Sequence, residues 1–183
     1  PLAAQGGLPA DGPVVAAELR FLDHPGTPFA REMIAVRVLS DGAVWLPRET
    51  DGRLALVDRL SPDQLRALTH DLAIAGVTRI DSQRLQADVV QACRRAGLTP
   101  QIEGGSVTIV SIQTAAGPHE IHCPALSLMA ARFPELSEAQ QLLALQLRLQ
   151  NVPVIASAGG ERAAVALAAA ANPQFLQTCP GQP

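Results

Sequence analysis

Lysine and tyrosine are both missing from the 183 residues, and all 14 basic side chains are arginine. These absences remove Schiff-base chemistry, the phosphate-loop lysine and any lysine or tyrosine general base. A GC-rich genome accounts for the missing lysine without appeal to function. Aromatic residues make up only 3%, so the core has to be assembled from Leu, Val, Ile and Ala. Positive charge is sparse as well: the net charge is −3 and no basic run is longer than Arg94–Arg95. Phosphate binding needs a clustered positive surface and base stacking needs aromatics, so nucleic acid is not an expected partner. No apolar run approaches a bilayer-spanning length, and AAVALAAAA at 163–171 is too short and too weakly hydrophobic to serve as one. The three cysteines, Cys93, Cys123 and Cys179, have no CxxC spacing, and an odd number leaves one unpaired if any bridge forms.

What remains reads as a folded domain, with 48% hydrophobic against 17% charged residues. Residues 1–17, PLAAQGGLPADGPVVAA, have the Pro, Gly and Ala content of a linker. They are expected to tether a single domain over 18–183 to a segment preceding Pro1, removed by processing or design. Two Asp-Gly pairs, Asp41–Gly42 and Asp51–Gly52, separate extended runs and predict a meander over 31–58. In its first strand Ile34, Val36 and Val38 are expected on one face. Trp45, the only tryptophan, is read as core or edge packing rather than a ligand platform.

Ser61 and Gln64 form a capping-box pattern, Pro62 suits the first helical position and Gly76 an end, which predicts a helix with Leu65, Leu68 and Leu72 inward and His70 in solvent. A second helix is predicted from Ser82 to Ala96 with Leu85, Val89, Cys93 and Ala96 as its buried stripe. A hairpin follows, SVTIVSIQT returning as HEIHC. Helical stretches near 125–132 and 137–150 come next, the latter opening on Ser137 and Gln140 as a second capping box. Leu142, Leu145 and Leu149 should help bury the C-terminal region. Gly159–Gly160 precedes an Ala-rich helical stretch ending at Asn172–Pro173. The hairpin-then-helix order occurs twice, giving two weakly repeated halves, 31–97 and 98–172. The predicted class is α+β: antiparallel hairpins forming a sheet, helices packed on one face, and a helical C-terminal region.

Ligand-type residues crowd together only in GPHEIHC, residues 117–123. On a strand, His119 and Cys123 share a face but lie roughly 13 Å apart at ~3.4 Å per residue. Zinc holds its ligands at about 2.0–2.3 Å, so that pair cannot share an ion. Glu120 and His122, on the other face, could join a metal site with help from a neighbouring strand, with His119 at the turn as a further candidate ligand. A divalent ion such as zinc is therefore the cofactor of an alternative reading, a metal-binding protein or metal-dependent hydrolase. The leading reading has no cofactor and no catalytic residue. No GxSxG, HExxH, GxxxxGK[ST] or GxGxxG is present.

The segments FLDHPGTPF (21–29), VRVLSDGAVW (36–45) and RLSPDQLRAL (59–68) resemble a domain of exported proteins and lipoproteins from GC-rich bacteria. That domain has an F-x-x-x-P-G-T-P-F lead-in, a strand–DG–strand hairpin and an L-S-x-x-x-L helix. The resemblance covers 21–76, with an echo in the 106–123 hairpin. It implies an extracytoplasmic bacterial setting and supplies no catalytic residue. Members often carry extra cysteines in the second hairpin, where this chain has only Cys123. The expectation is a non-catalytic envelope interaction module for a protein or envelope component, using strand edges or the groove between sheet and helices. A third reading, an inhibitor-like module, would need a rigid exposed loop such as GTPF or PRETDG.

Overall fold

The computed structural model describes residues 13–74, 76–99 and 106–159. Four strands open the fold: β1 (Val15–Asp23), β2 (Arg31–Leu39), β3 (Ala43–Pro47) and β4 (Leu54–Arg59). Helices α1 (Pro62–Ile74) and α2 (Ser82–Arg95) follow, separated by a single 3-10 turn at Val77–Arg79. Strands β5 (Val107–Thr114) and β6 (Gly117–Pro124) precede helices α3 (Leu126–Arg132) and α4 (Ser137–Ser157). All six strands form one sheet in the order β4-β3-β2-β1-β5-β6, every pair antiparallel. The fold is therefore α+β, as the sequence predicts.

Strand β1 differs from the sequence expectation. Val15, Ala16 and Ala17, assigned to the linker, begin the strand that joins the two halves of the sheet, since β1 pairs with both β2 and β5. Residues 1–12, which hold the rest of the predicted linker, and the Ala-rich stretch at 161–172 with Cys179 lie outside the described residues.

One face of the sheet carries Ala17, Leu19, Val36, Val38, Val44, Val110, Ile112, Ile121 and Cys123, which share a single apolar core with Leu68, Leu72, Leu85, Val89, Leu142 and Leu149 of the helices. Helix α4 lies across β1 to β4, and α2 covers β6. Leu142, Leu145 and Leu149 are buried as predicted. Among the described residues no helix is long and apolar enough to cross a membrane.

Local signals are met unevenly. Ser61 and Gln64 form the reciprocal box, Ser61 N–H to Gln64 Oε1 at 2.6 Å and Gln64 N–H to Ser61 Oγ at 3.2 Å. The second box does not form. Ser137 lies inside the first turn of α4, and the Gln140 amide instead donates to the Ala130 carbonyl at 2.6 Å, tying α4 to α3. In α2 the stripe is Leu85, Val89, Ala92 and Cys93, while Ala96 is the exposed C-cap. In β2 an irregularity at Ala35 sets Ile34 opposite Arg20, so Ile34 leaves the face of Val36 and Val38.

Only the glycine of each Asp-Gly pair has positive φ, 82° at Gly42 and 66° at Gly52. The aspartates turn their carboxylates onto the amides of Ala43 and Arg53, each at 3.0 Å. Hydrogen bonds from Arg59 and the Ala43 amide hold the Asp41 carboxyl below its ordinary pKa. The two glycines differ in space: a Cβ on Gly42 would sit 2.5 Å from the Leu60 carbonyl oxygen, whereas one on Gly52 meets nothing within 4 Å. Gly52→Ala should therefore destabilise by about 1 kcal/mol through φ alone. Gly42→Ala should lose about 3 kcal/mol, because the Leu60 backbone must also move. Equal urea-unfolding losses for the two variants would contradict this.

Candidate functional site

The alternation of GPHEIHC places its ligand types on opposite faces, as the strand reading requires. Ile121 and Cys123 enter the core. His119 lies on that side too, its Nε2 3.1 Å from the Ile80 carbonyl oxygen. Glu120 and His122 project from the other face, each 46% exposed, with Nε2 and Oε2 3.5 Å apart. The structure thus brings Glu120 and His122 together and leaves His119 apart. Among the described residues no group of three or more His, Cys, Asp or Glu side chains is placed to hold one ion. A cation at Glu120 would also have to compete with Arg20, whose guanidinium already contacts the Glu120 carboxylate.

Arg20 is the centre of this polar face. Besides Glu120 on β6 it meets Glu32 on β2 at 2.7 Å and Glu18 on its own strand at 3.1 Å, and Glu18 is held in turn by Arg37. Arg20 and Glu18 are the least exposed members, at 15% and 9%. Burial opposes the charge on Arg20, but the Glu32 hydrogen bond and the carboxylates of Glu120, Glu32 and Glu18 outweigh it and hold its pKa above the ordinary value. The Arg20–Glu120 contact spans β5, where Ile109 lies in the row between Arg20 and His122 and is buried. This is a structural network of two arginines against three glutamates, with the two more exposed carboxylates, Glu32 and Glu120, at its rim. Trp45 extends the same face, in the row between Arg37 and Leu56. It is half-buried, outside the core cluster, and its indole N–H reaches no acceptor among the described residues. Both edge strands carry a local interruption. Ser82 Oγ accepts from His122 N–H at 3.0 Å and contacts the Glu120 carbonyl at 3.3 Å, closing β6. Strand β4 is irregular at Val57, and Asp58 takes the Arg59 amide at 2.7 Å.

The β1–β2 connection is the exposed feature that stands out. Asp23 pairs with Arg31 at its base. Within it the Thr27 amide and hydroxyl both donate to the His24 carbonyl, at 3.2 and 2.8 Å, and the Ala30 amide donates to the Thr27 carbonyl at 3.1 Å. The Phe29 amide donates to the Thr27 hydroxyl at 3.2 Å. Pro25 and Pro28 fix their own φ, and His24 takes a positive φ of 49°. On this cross-braced loop Phe29, one of four phenylalanines, is 81% exposed. GTPF is one of the two loops that the sequence offers for a rigid exposed contact, and Thr27 at the centre of two consecutive turns is what singles it out.

Elsewhere the sequence-derived candidates are structural. His70 is exposed and its neighbour Asp71 pairs with Arg148 at 2.9 Å. Cys93 and Cys123 are both buried and free. No protein-family model, curated protein or solved structure matches this chain.

Two outcomes follow from this geometry. Arg20→Ala should lower stability by about 2 kcal/mol, less than the ~3–5 of a fully buried pair because Arg37 still neutralises Glu18. Glu120→Gln, at a half-exposed partner, should lose under about 1 kcal/mol; a reversed order in denaturant midpoints would refute the hub role. Burial pushes the Cys123 thiol from 9.0 up to about 12. Between those values the folded state holds a proton that the unfolded chain releases, so stability falls as pH rises through that window. With no Lys or Tyr to titrate there, Cys123→Ala should visibly flatten the alkaline loss in a pH series of melts.

Proposed function

We propose that this chain is a non-catalytic interaction module of the bacterial cell envelope, working outside the cytoplasm and gripping a protein through the β1–β2 loop. The observation that carries the reading is Phe29, held 81% exposed on a loop whose turns are fixed by Thr27. An aromatic ring on a pre-ordered loop loses little conformational freedom on docking and buries a large apolar area, the usual recipe for an interface anchor. The extracytoplasmic setting is supported by the resemblance of 21–76 to exported bacterial domains. The β1–β2 loop is thus added to the strand edges and the sheet–helix groove that the sequence offers as contact surfaces; Ser82 occupies part of the β6 edge and a bulge interrupts β4.

The metal-dependent reading keeps one observation in its favour, the 3.5 Å approach of His122 to Glu120. The two readings separate by experiment. A photo-crosslinker at Ala30 should give a discrete protein adduct in envelope extract, competed by excess unlabelled wild type and not by Phe29→Ser, while Phe29→Ser melts like wild type. Competition by both proteins alike would sink the loop reading. Elemental analysis with melts before and after chelation should show unchanged stability. One equivalent of metal, lost with stability in Glu120→Ala/His122→Ala, would move the functional centre to β6.

A further inference from the structure

Helix α4 is largely apolar on both of its sides. The inner side enters the core through Ala139, Leu142, Leu145, Leu149, Val152 and Ala156. The helix holds only two charged side chains, and both are drawn to neighbours: Glu138 toward Arg84 at 4.0 Å and Arg148 to Asp71 at 2.9 Å. At the helical period, Leu143, Ala144, Leu147, Asn151, Val154 and Ala158 fall on one outer stripe without a charge. Leu147 and Val154, in its middle, are each 51% exposed. A helix that is apolar all round belongs between two layers of packing, and the described residues cover only the inner one. The chain leaves α4 through a turn. The Ala158 amide donates to the Val154 carbonyl at 3.0 Å, the Gly159 amide to the Ala156 carbonyl at 3.1 Å, and Gly159 takes a φ of 77°. A left-handed glycine in this place ends a helix and redirects the chain. Gly160 follows, then ERAAVALAAAAN over 161–172, ahead of Pro173.

We propose that residues 161–172 form a helix that folds back and docks along the outer stripe of α4, making an antiparallel helical hairpin. Such docking stands whether or not the Phe29 loop binds a protein. The connection favours this occupant: with only Gly159 and Gly160 between them, two helices run back side by side. The length fits as well. Residues 161–172 make roughly 18 Å of helix at ~1.5 Å per residue, and the stripe from Leu147 to Ala158 is about as long. Composition agrees. Beyond Arg162 the segment has no charge until Pro173, and its alanines let two helix axes approach closely. Counting back from the turn sets Val165 beside Val154 and Ala168 beside Asn151. So short a helix is marginal alone in water, so it needs a face to pack on, and α4 is the nearest one in the chain. A second copy or a membrane surface would have to compete with a segment tethered two residues away, whose effective concentration is high.

Hydrogen exchange on the full chain, read by mass spectrometry of peptic fragments, tests the proposal. In wild type the amides of 163–171 should exchange at least about tenfold more slowly than in a free peptide of the same sequence. Leu147→Glu/Val154→Glu puts charge on the stripe at two exposed positions. It should return the segment to the free-peptide rate while the amides of β1 stay protected. If that variant unfolds, a covalent trap replaces it. In a Cys179→Ser background, Asn151→Cys/Ala168→Cys should close to an internal bridge in the monomer under oxidised glutathione; Cys93 and Cys123 are buried and do not compete. Gln141→Cys/Ala168→Cys, about 15 Å further along α4, should not close. Exchange is repeated at low and high protein concentration and with anionic phospholipid vesicles. Free-peptide rates in wild type, protection that survives the double substitution, or equal bridging in both cysteine pairs would overturn the proposal. Protection seen only at high protein concentration gives the stripe to a second copy, and protection seen only with vesicles gives it to a membrane; either result overturns it too.

Discussion

The sheet depends on one charged side chain in its middle. Strand β1 is the only element bonded to both halves of the sheet, and Arg20 on it reaches a carboxylate on either side, Glu32 of β2 and Glu120 of β6. A guanidinium 15% exposed would be costly to desolvate if unpaired. Here three carboxylates surround it, and with Arg37 completing the set the two arginines and three glutamates leave a single net negative charge, carried toward the exposed rim. The arrangement also selects register. A one-residue slip of β1 against β2 would turn Glu18 and Arg20 into the apolar core and Leu19 out of it.

That same strand has the weakest signature in the sequence. VAAELRFLD does alternate, with Leu19 and Phe21 toward the core and Glu18 and Arg20 away from it. Its first half is alanine-rich, however, and follows a Pro/Gly-rich lead, so composition masked a short period. Alternation over Glu18–Phe21 was the available signal. HEIHC, by contrast, follows a facing strand of β-branched residues, and the two-residue period there separated His119 from Glu120 and His122 correctly. The bulge at Ala35 has no clear trace in sequence, and its displacement of Ile34 is decided by pairing with β1.

The two capping patterns show where local chemistry ends. Ser61-x-x-Gln64 closes on itself through the Gln64 Oε1, while the Gln64 Nε2 donates to the Ile155 carbonyl of α4 at 3.4 Å. Ser137-x-x-Gln140 has the same letters, but α3 ends just before it, and the Ala130 carbonyl lies within reach of the Gln140 amide. The helix starts one residue early, with Leu136 as its N-cap, so Ser137 stands past the position from which its hydroxyl could cap. In sequence GTPF is one of two candidate exposed loops, and nothing there separates it from PRETDG. The exposure of Phe29 follows from Thr27, whose hydroxyl both donates to His24 and accepts from Phe29.

The charged face and the loop form one device. The Arg20–Glu32 ion pair crosses from β1 to β2 close below the Asp23–Arg31 base of the connection, so the hairpin stem is pinned where the loop departs. Turns within the loop then carry that fixity outward to residue 29. A flexible stem would let the ring fold back onto nearby apolar surface such as Met33, which is itself 38% exposed, and any contact would first have to pull it away. Holding the stem rigid keeps the ring in water, an unfavourable state that the proposed docking would relieve. In that proposal the polar network serves the contact through position alone, pinning the stem from which the loop departs.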